Sequence, residues 1–398
     1  MKRILNPITI TTGLAIFSML FGASNLMFPL AVGLHSGDKN LWAIIGFLIT
    51  SVCLPVIGLV SIILFNGNVE AFFGRLGKIP GFIMYSVCVL IIGPVIAMPR
   101  IVTFSYTMVA PFLPAFDYSR LPLISSLSNP ELFIFSIAFL GLTLLATIRE
   151  SRILDLLGYI ISPILLISLG IIIIKGLITG SPAQTFDVSG VSLFWENLKF
   201  GYHTLDVLGG IFFSSIVIHI LKQKLPGESL KNLATTGLTA GAIGAFLLGI
   251  IYFGLSYLGV YHGAGLENVH PGVLFSNISF RIIGQEGALI IATAVLMACF
   301  STIIALAAVF TEYLELELFR KKISYPICLI ITLALTLIPS SFDLAYILEF
   351  SEPLIAIIYP AIIILTICNL LYKLCNFKLV TIPVLITLLA SVLNYFSL

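Results

Sequence analysis

The sequence carries very little charge. Of its 398 residues, only 10% are Asp, Glu, Lys or Arg, whereas 59% are hydrophobic. Soluble proteins carry about 25% charged and about 45–50% apolar residues, so this chain could not cover a water-facing surface. The composition therefore excludes a soluble enzyme, a nucleic-acid-binding protein and a disordered protein. It indicates a polytopic helical membrane protein, because the apolar stretches are long and continuous rather than alternating.

Other signals are also missing. The six cysteines show no zinc-type or redox spacing and are interpreted as packing residues. Lys2 and Arg3 precede an apolar run that reaches no small-residue cleavage site, so we expect no cleavable signal peptide. No loop between the apolar stretches is long enough to hold a catalytic domain. Any chemistry or movement is therefore expected to take place within the bilayer.

Eleven apolar segments are long enough to be counted as membrane spans. A hydrocarbon core of about 30 Å needs about 20 apolar residues in a helix. The predicted spans are residues 9–34, 40–65, 81–113, 131–148, 153–178, 191–221, 232–260, 286–313, 323–339, 343–372 and 379–397.

The basic residues predict the orientation of these spans. With a cytoplasmic N-terminus, fourteen of the 20 Lys and Arg residues fall in inner loops and five in outer ones, and Arg100 lies within a span. Inner loops are enriched in Lys and Arg. The sequence therefore predicts a cytoplasmic N-terminus and, with eleven spans, an external C-terminus.

Two spans contain residues that disfavour a continuous helix. The first has FGASN at residues 21–25, shortly before a proline, and the sixth has GYHTLDVLGG at 201–210, with Asp206, Gly209 and Gly210. Because the two spans are five apart, they run antiparallel, as in an inverted repeat of five plus five helices with its site at the bilayer midplane. The alternative is that the glycines merely allow close helix packing.

Such breaks expose backbone groups with a definite chemistry. Free N–H groups at a half-helix N-terminus favour an anion, and freed carbonyls favour a small cation, which suits a zwitterion carried with a cation. Ser301 and Thr302 lie together in the middle of the eighth span. Their hydroxyls either bond back to the carbonyl four residues earlier or complete an oxygen shell for a sodium ion.

Four segments in the same order resemble one family, the branched-chain amino acid–cation symporters of bacterial inner membranes. FGASNLMFPLAVGL is similar to the family's F-x-G-A-G/S-N-x-x-F-P-P signature, IGPVIAMPR to its G-P-x-x-A-x-P-R, and GYHTLDVLGG to its G-Y-x-T-M-D-x-L-G. The resemblance covers residues from about 9 to 372, and its segments are 21–34, 92–100, 201–210 and 353–360. Two departures are the absence of a twelfth span and Leu30 in place of the signature's second proline.

The resemblance implies an all-α membrane protein with the leucine-transporter-type inverted repeat, in which helices 1 and 6 are discontinuous. A single transporter domain, residues 1–398, is expected. Its implied parts are a first repeat over about 9–178, a second over about 191–372 and an extra helix over 379–397.

The resemblance also implies a site. The backbone amides around Ser24 would face the substrate carboxylate, and the carbonyls near Thr204 and Asp206 would face its ammonium group. Apolar residues of the third and eighth helices would contact its side chain. The implied substrate-binding residues are Gly22, Ala23, Ser24, Asn25, Thr204, Leu205, Asp206 and Gly209. Carbonyls near Phe21 and Ala298, with the hydroxyls of Ser301 and Thr302, would hold sodium. No cofactor is expected beyond this coupling ion.

Three further charged residues have two interpretations each. Arg100 either extends to the outer interface or is a gate charge that pairs with Asp206 or Glu352. Glu349 and Glu352 in the tenth span either line a wet outer vestibule, or one of them protonates during turnover. Arg100 and Glu352 are therefore the candidates for gating or coupling.

The expected function is import of leucine, isoleucine and valine with sodium by alternating access, across a bacterial inner membrane. The alternative is a proton-coupled or broader neutral amino acid transporter. An intramembrane enzyme is disfavoured because Asp206 has no second aspartate in a span core, and a passive channel because filter-like repeats are absent. The expected partners are the small-molecule substrate and the lipid bilayer, with no nucleic acid; no oligomeric state is predicted.

Overall fold

The computed structural model describes residues 6–113, 129–148 and 161–396, which form helices joined by short connections and contain no strand. The helices are α1 Pro7–Leu20, α2 Ala23–Ser36, α3 Asn40–Leu48, α4 Leu54–Leu64, α5 Val69–Gly74, α6 Lys78–Leu90, α7 Ala97–Val109, α8 Pro130–Thr147, α9 Ser162–Ile178, α10 Gly190–Phe200, α11 Asp206–Lys224, α12 Leu230–His262, α13 Pro271–Tyr313, α14 Tyr325–Leu337, α15 Leu344–Cys375 and α16 Thr381–Phe396.

The helices group into the eleven spans that the sequence predicts. Among the described residues, seven helical stretches are long and apolar enough to cross a membrane, and four shorter apolar helices accompany them. The first, second, third and sixth spans are each built from two helices: α1 with α2, α3 with α4, α6 with α7 and α10 with α11. Residues 153–160, the start of the predicted fifth span, lie outside the described part.

A helical segment that leads into the eighth span was missed from the sequence. Helix α13 begins at Pro271, where the side chain of His270 accepts a hydrogen bond from the Gly272 amide at 3.1 Å, and it continues into the eighth span. It bends at Gly284, whose φ of 78° is a conformation that favours glycine. The segment before the bend lies between the predicted seventh and eighth spans, where no helix was predicted, although proline at the first helical position is a helix-start signal.

Two pairs of neighbouring spans give the inverted arrangement. The first span runs parallel to α12: a Cβ atom on Gly13 would lie 2.9 Å from a carbonyl in the first half of α12, and one on Gly33 only 1.7 Å from a carbonyl in its second half. The sixth span runs parallel to the second: a Cβ atom on Gly46 would lie 2.3 Å from a carbonyl of α10, and one on Gly210 would lie 2.3 Å from a carbonyl of α4. The first span of the first repeat therefore packs on the second span of the other repeat, and the first span of the second repeat packs on the second span of the first. An inverted repeat requires this reciprocal packing.

The outer faces of the bundle are apolar, as a bilayer requires. On α9 and α16, large aliphatic side chains are well exposed, among them Ile167, Ile174, Leu389 and Leu393. Charged side chains are instead buried around the two broken spans. This distribution places polar chemistry at the centre of the bundle, where α1, α2, α10 and α11 meet.

Candidate substrate and ion site

The first span is interrupted at Phe21 and Gly22. Phe21 leaves the helix with ψ of 93°, Gly22 is extended, and α2 starts again at Ala23. The Asn25 side chain accepts a hydrogen bond from the Gly22 amide at 3.0 Å and so stabilises the new start. Pro29 lies inside α2 and does not end it. The break therefore exposes carbonyls at the end of α1 and amides at the start of α2.

The sixth span is interrupted earlier than the sequence suggested. Helix α10 ends at Phe200, one 3₁₀ turn covers Gly201–Thr204, and Leu205 takes the left-handed conformation with φ of 62° before α11 begins. Gly209 and Gly210 were taken as part of the break, but both lie inside α11. Gly210 instead permits close packing on α4, which is the alternative that the sequence left open.

A small cavity of about 40 Å³ lies between the two breaks. Every residue that the resemblance implied for substrate binding lines it: Gly22, Ala23, Ser24, Asn25, Thr204, Leu205, Asp206 and Gly209. The remaining lining is mostly apolar and comes from the third and eighth spans and from the flanks of the breaks: Leu20, Ile92, Ala97, Ile101, Phe213, Thr302 and Leu306. The lining therefore combines polar groups, among them a carboxylate, with aliphatic side chains.

Asp206 is held by neutral donors only among the described residues. Its side chain is 3% exposed, and both carboxylate oxygens accept from Asn25 Nδ2 at 2.9 Å. The Tyr252 hydroxyl donates to Asp206 Oδ2 at 2.7 Å and also contacts Asn25 Nδ2. Tyr252 was not found from the sequence, because it lies in the regular interior of α12 and no local pattern marks it.

The oxygens implied for sodium also lie together. The Ser301 hydroxyl is 2.7 Å from the Ala298 carbonyl, and the Thr302 hydroxyl is 3.1 Å from the Phe21 carbonyl and 3.2 Å from that of Ala298. The sequence missed a fifth oxygen, the Ser18 carbonyl, which is 2.8 Å from the Ser301 hydroxyl. It precedes the break by one turn of α1, where the helix can no longer supply amide partners.

Arg100 lies beside the cavity and is 1% exposed. Its guanidinium donates to Ser24 Oγ at 3.1 Å, to the His203 carbonyl at 2.8 Å and to Ser351 Oγ at 2.7 Å. Neither sequence-based interpretation describes this geometry: the side chain does not reach a surface, and within the described residues it pairs with no carboxylate. The three acceptors belong to α2, the turn after α10 and α15, so one side chain joins three elements around the cavity.

Glu352 lies elsewhere. It is exposed in an open cleft of about 840 Å³ between α10, α15 and α16, together with Glu196 and Lys199. Glu349 on the same helix is exposed as well. The structure therefore brings twelve of the fourteen sequence-derived candidates to the cavity and the adjoining oxygen cluster, places Arg100 next to them, and leaves Glu352 apart.

A helical bundle with two antiparallel broken spans around a buried cavity defines a membrane transporter of the inverted-repeat class. Solved transporters share this fold. The chain superposes on MhsT in complex with L-phenylalanine with a TM-score of 0.58 at 16% identity, covering 95% of this chain and 98% of that one. It superposes on a Na⁺-coupled sialic acid symporter with a TM-score of 0.59 at 15% identity, covering 91% and 78%.

The chain belongs to the branched-chain amino acid transport protein family, whose model matches residues 6–398. It is 33% identical over 371 residues to the branched-chain amino acid permease BraB of Bacillus subtilis (strain 168), covering 92% of this chain and 80% of that protein. It is 30% identical over 414 residues to a putative branched-chain amino acid carrier protein of Staphylococcus aureus (strain USA300), covering 99% and 89%. The chain is accordingly a transporter and not an enzyme.

Proposed function

We propose that the chain is a secondary active symporter that imports leucine, isoleucine and valine with sodium. It acts by alternating access around the first and sixth spans, in a bacterial inner membrane and with its N-terminus in the cytoplasm. The inverted repeats extend over residues 9–178 and 191–372, and the helix over 379–397 is additional. The observation that carries this proposal is the cavity at the breaks, which combines a helix N-terminus, a carboxylate and an aliphatic wall.

The polar side of the cavity matches the head group of an amino acid. The start of α2 offers amides and a positive dipole end to the carboxylate. Asp206 and the Thr204 carbonyl accept from the ammonium group. Because the two breaks lie in antiparallel spans, the opposite ends of the zwitterion meet groups of opposite character.

The aliphatic side matches a branched side chain. Ile92 and Ile101 from the third span and Leu306 from the eighth line it. One methylene group in an apolar pocket changes affinity by about 1–3 kcal/mol only, so transport of leucine, isoleucine and valine is expected to overlap. Ligand pockets measure about 300–1,000 Å³, whereas this cavity measures about 40 Å³, so the half-helices must move apart to admit the substrate.

The five clustered oxygens are proposed to bind the sodium ion. Carbonyls of Ser18, Phe21 and Ala298 and the hydroxyls of Ser301 and Thr302 are the hard donors that such an ion takes from an unwound helix. Each hydroxyl now donates to a carbonyl, and it can rotate to present a lone pair when the ion enters. A proton instead of sodium is the alternative coupling ion, favoured by the Asp206 carboxylate, which has only neutral donors around it among the described residues.

Arg100 is proposed as the residue that holds the outer gate closed. Outward opening must separate α2, the turn after α10 and α15, and each of these elements supplies one of its acceptors. Glu352 is a weaker candidate for gating or coupling, because it lies in the open cleft and not at the cavity.

The experiment is uptake of labelled leucine into proteoliposomes, driven first by an inward sodium gradient and then by a proton gradient alone. Accumulation above equilibrium with sodium, weakened in Ser301→Ala combined with Thr302→Ala but not in Thr143→Ala, supports sodium symport. Thr143 is the matched control, because its buried hydroxyl bonds back within α8, away from the cavity. Accumulation with protons alone would transfer coupling to Asp206 or Glu352, and no movement of leucine under either gradient would refute the substrate assignment.

A further inference from the structure

Arg100 is a buried cation without an anion among the described residues. Its three acceptors are two serine hydroxyls and one carbonyl, and its Nε atom has no hydrogen-bond partner. A buried charge is costly unless it is paired. The guanidinium also presents Nε–H and N–H donors in a fixed plane that matches a carboxylate. A site for an anion close to Arg100 would remove this cost.

Ser24 links this cation to the cavity. Ser24 lines the cavity, and its Oγ accepts from Arg100. The hydroxyl hydrogen of Ser24 has no acceptor among the described residues, so it can donate to a group in the cavity. A hydroxyl that accepts from a guanidinium donates more strongly, because hydrogen bonds in a chain polarise one another.

Asn25, the residue after Ser24, contacts the opposite charge, the Asp206 carboxylate. Asn25 donates to the Asp206 carboxylate at 2.9 Å, whereas Ser24 accepts from Arg100 at 3.1 Å. The first turn of α2 thus lies between a fixed positive and a fixed negative charge that do not pair with each other. A ligand that completes this arrangement carries both signs.

We propose that Arg100 is the counter-charge of the substrate α-carboxylate, acting through the Ser24 hydroxyl, and that it makes a free carboxylate a requirement for binding. This inference rests on the proposed function and adds the group that selects the anionic end of the substrate. Ser24 and the start of α2 contact the carboxylate, and Arg100 is a positioning residue behind them. Carboxylate binding then also strengthens the contact by which Arg100 closes the gate.

The test compares two ligands that differ only at the carboxylate. Leucine and leucinamide share the ammonium group and the side chain, but leucinamide lacks the anionic charge. Their affinities are measured by calorimetry on purified protein in detergent with saturating sodium, for wild type, Arg100→Gln, Ser24→Ala and Arg281→Gln. Arg281 is the control: it is an exposed arginine that also holds carbonyl groups, those of His262 and Ala264, but it lies away from the cavity.

The measured quantity is the preference for leucine over leucinamide. Arg100→Gln is expected to lower this preference by about 10- to 100-fold, because the unit charge that faces the carboxylate across Ser24 in a poorly solvated site is lost. Ser24→Ala, which keeps the guanidinium, is expected to lower it by about 3- to 10-fold, and Arg281→Gln leaves it unchanged. If Arg100 only held the fold or the gate, both ligands would weaken together and the preference would stay within about threefold of wild type, which overturns the inference. Wild-type protein that binds no branched-chain amino acid would instead refute the proposed function itself.

Discussion

Replacing Asp206 by asparagine removes one negative charge from the cavity and little else. Asp206 Oδ2 accepts from both Asn25 and Tyr252, and Oδ1 accepts from Asn25. If the new amide oxygen takes the Oδ2 position, both of those bonds are kept, and the new amide nitrogen then faces Asn25 Nδ2 donor to donor. The structural cost is therefore one unfavourable contact, about 1–3 kcal/mol.

The functional cost is expected to be larger. If Asp206 binds the substrate ammonium, its removal leaves a buried charge unpaired, which costs about 2–5 kcal/mol. At about 1.4 kcal/mol for each factor of ten, leucine uptake per folded transporter at low leucine concentration should fall by about 30- to 4,000-fold. The shape of the side chain is retained, so expression and monodispersity should change little.

The assay is initial-rate uptake of labelled leucine in proteoliposomes, normalised to the amount of monodisperse protein. Asp187→Asn is the matched control, because Asp187 is exposed in the connection before α10 and its replacement should leave uptake unchanged. Asp206→Asn with a wild-type KM and kcat would refute the placement of Asp206 in the substrate site. A lower melting temperature with unchanged kinetics would assign this carboxylate to folding alone.

Three further substitutions separate other roles. Tyr252→Phe removes the donor to Asp206 and should raise the KM for leucine by about 3- to 30-fold, seen in uptake kinetics with unchanged melting temperature. Gly33→Ala would place a Cβ atom 1.7 Å from a carbonyl of α12 and should lower the melting temperature in detergent, whereas Gly170→Ala has open space and should not; equal melting of the two would contradict the packing. Glu352→Gln should leave sodium-driven leucine uptake within about twofold, because surface substitutions away from a site change little; loss of uptake would place Glu352 in coupling.

The first break was predictable because its signals are local. Gly22 and Asn25 lie only three positions apart in the sequence, and together they end one helix and cap the next. Pro29 was a poorer guide: inside α2 a proline removes a single backbone hydrogen bond, and the helix continues. The signature therefore locates the interruption but overstates its length.

The second break was displaced because tertiary contacts decide it. A leucine does not favour the left-handed conformation that Leu205 adopts, so nothing in the local sequence marks this residue as the turning point. Arg100 holds the carbonyl of His203, and a Cβ atom on Gly201 would lie 2.0 Å from the Thr50 hydroxyl. These long-range contacts fix the turn before Asp206 and leave the two later glycines helical.

Residues that act across the bundle were the ones missed. Tyr252 reaches Asp206 over 46 positions of sequence, and the Ser18 carbonyl reaches Ser301 over 283. A tyrosine in a regular apolar helix and a backbone carbonyl carry no periodic or compositional signal. The sequence could therefore identify the two broken spans and the paired hydroxyls, but not the groups that the other helices bring to them.

The proposed substrate and ion sites share the same break, which gives the coupling a physical route. The Phe21 carbonyl belongs to the oxygen cluster, and the following residue, Gly22, lines the cavity. Thr302 takes part in both, since its hydroxyl contacts the Phe21 carbonyl while its side chain lines the cavity beside Gly22. An ion that fixes the end of α1 therefore fixes the amides at the start of α2 as well. Such coupling is reciprocal, so a substrate that orders α2 must tighten ion binding by the same factor by which the ion tightens substrate binding. Neither ligand reaches its full affinity while the break is free to move.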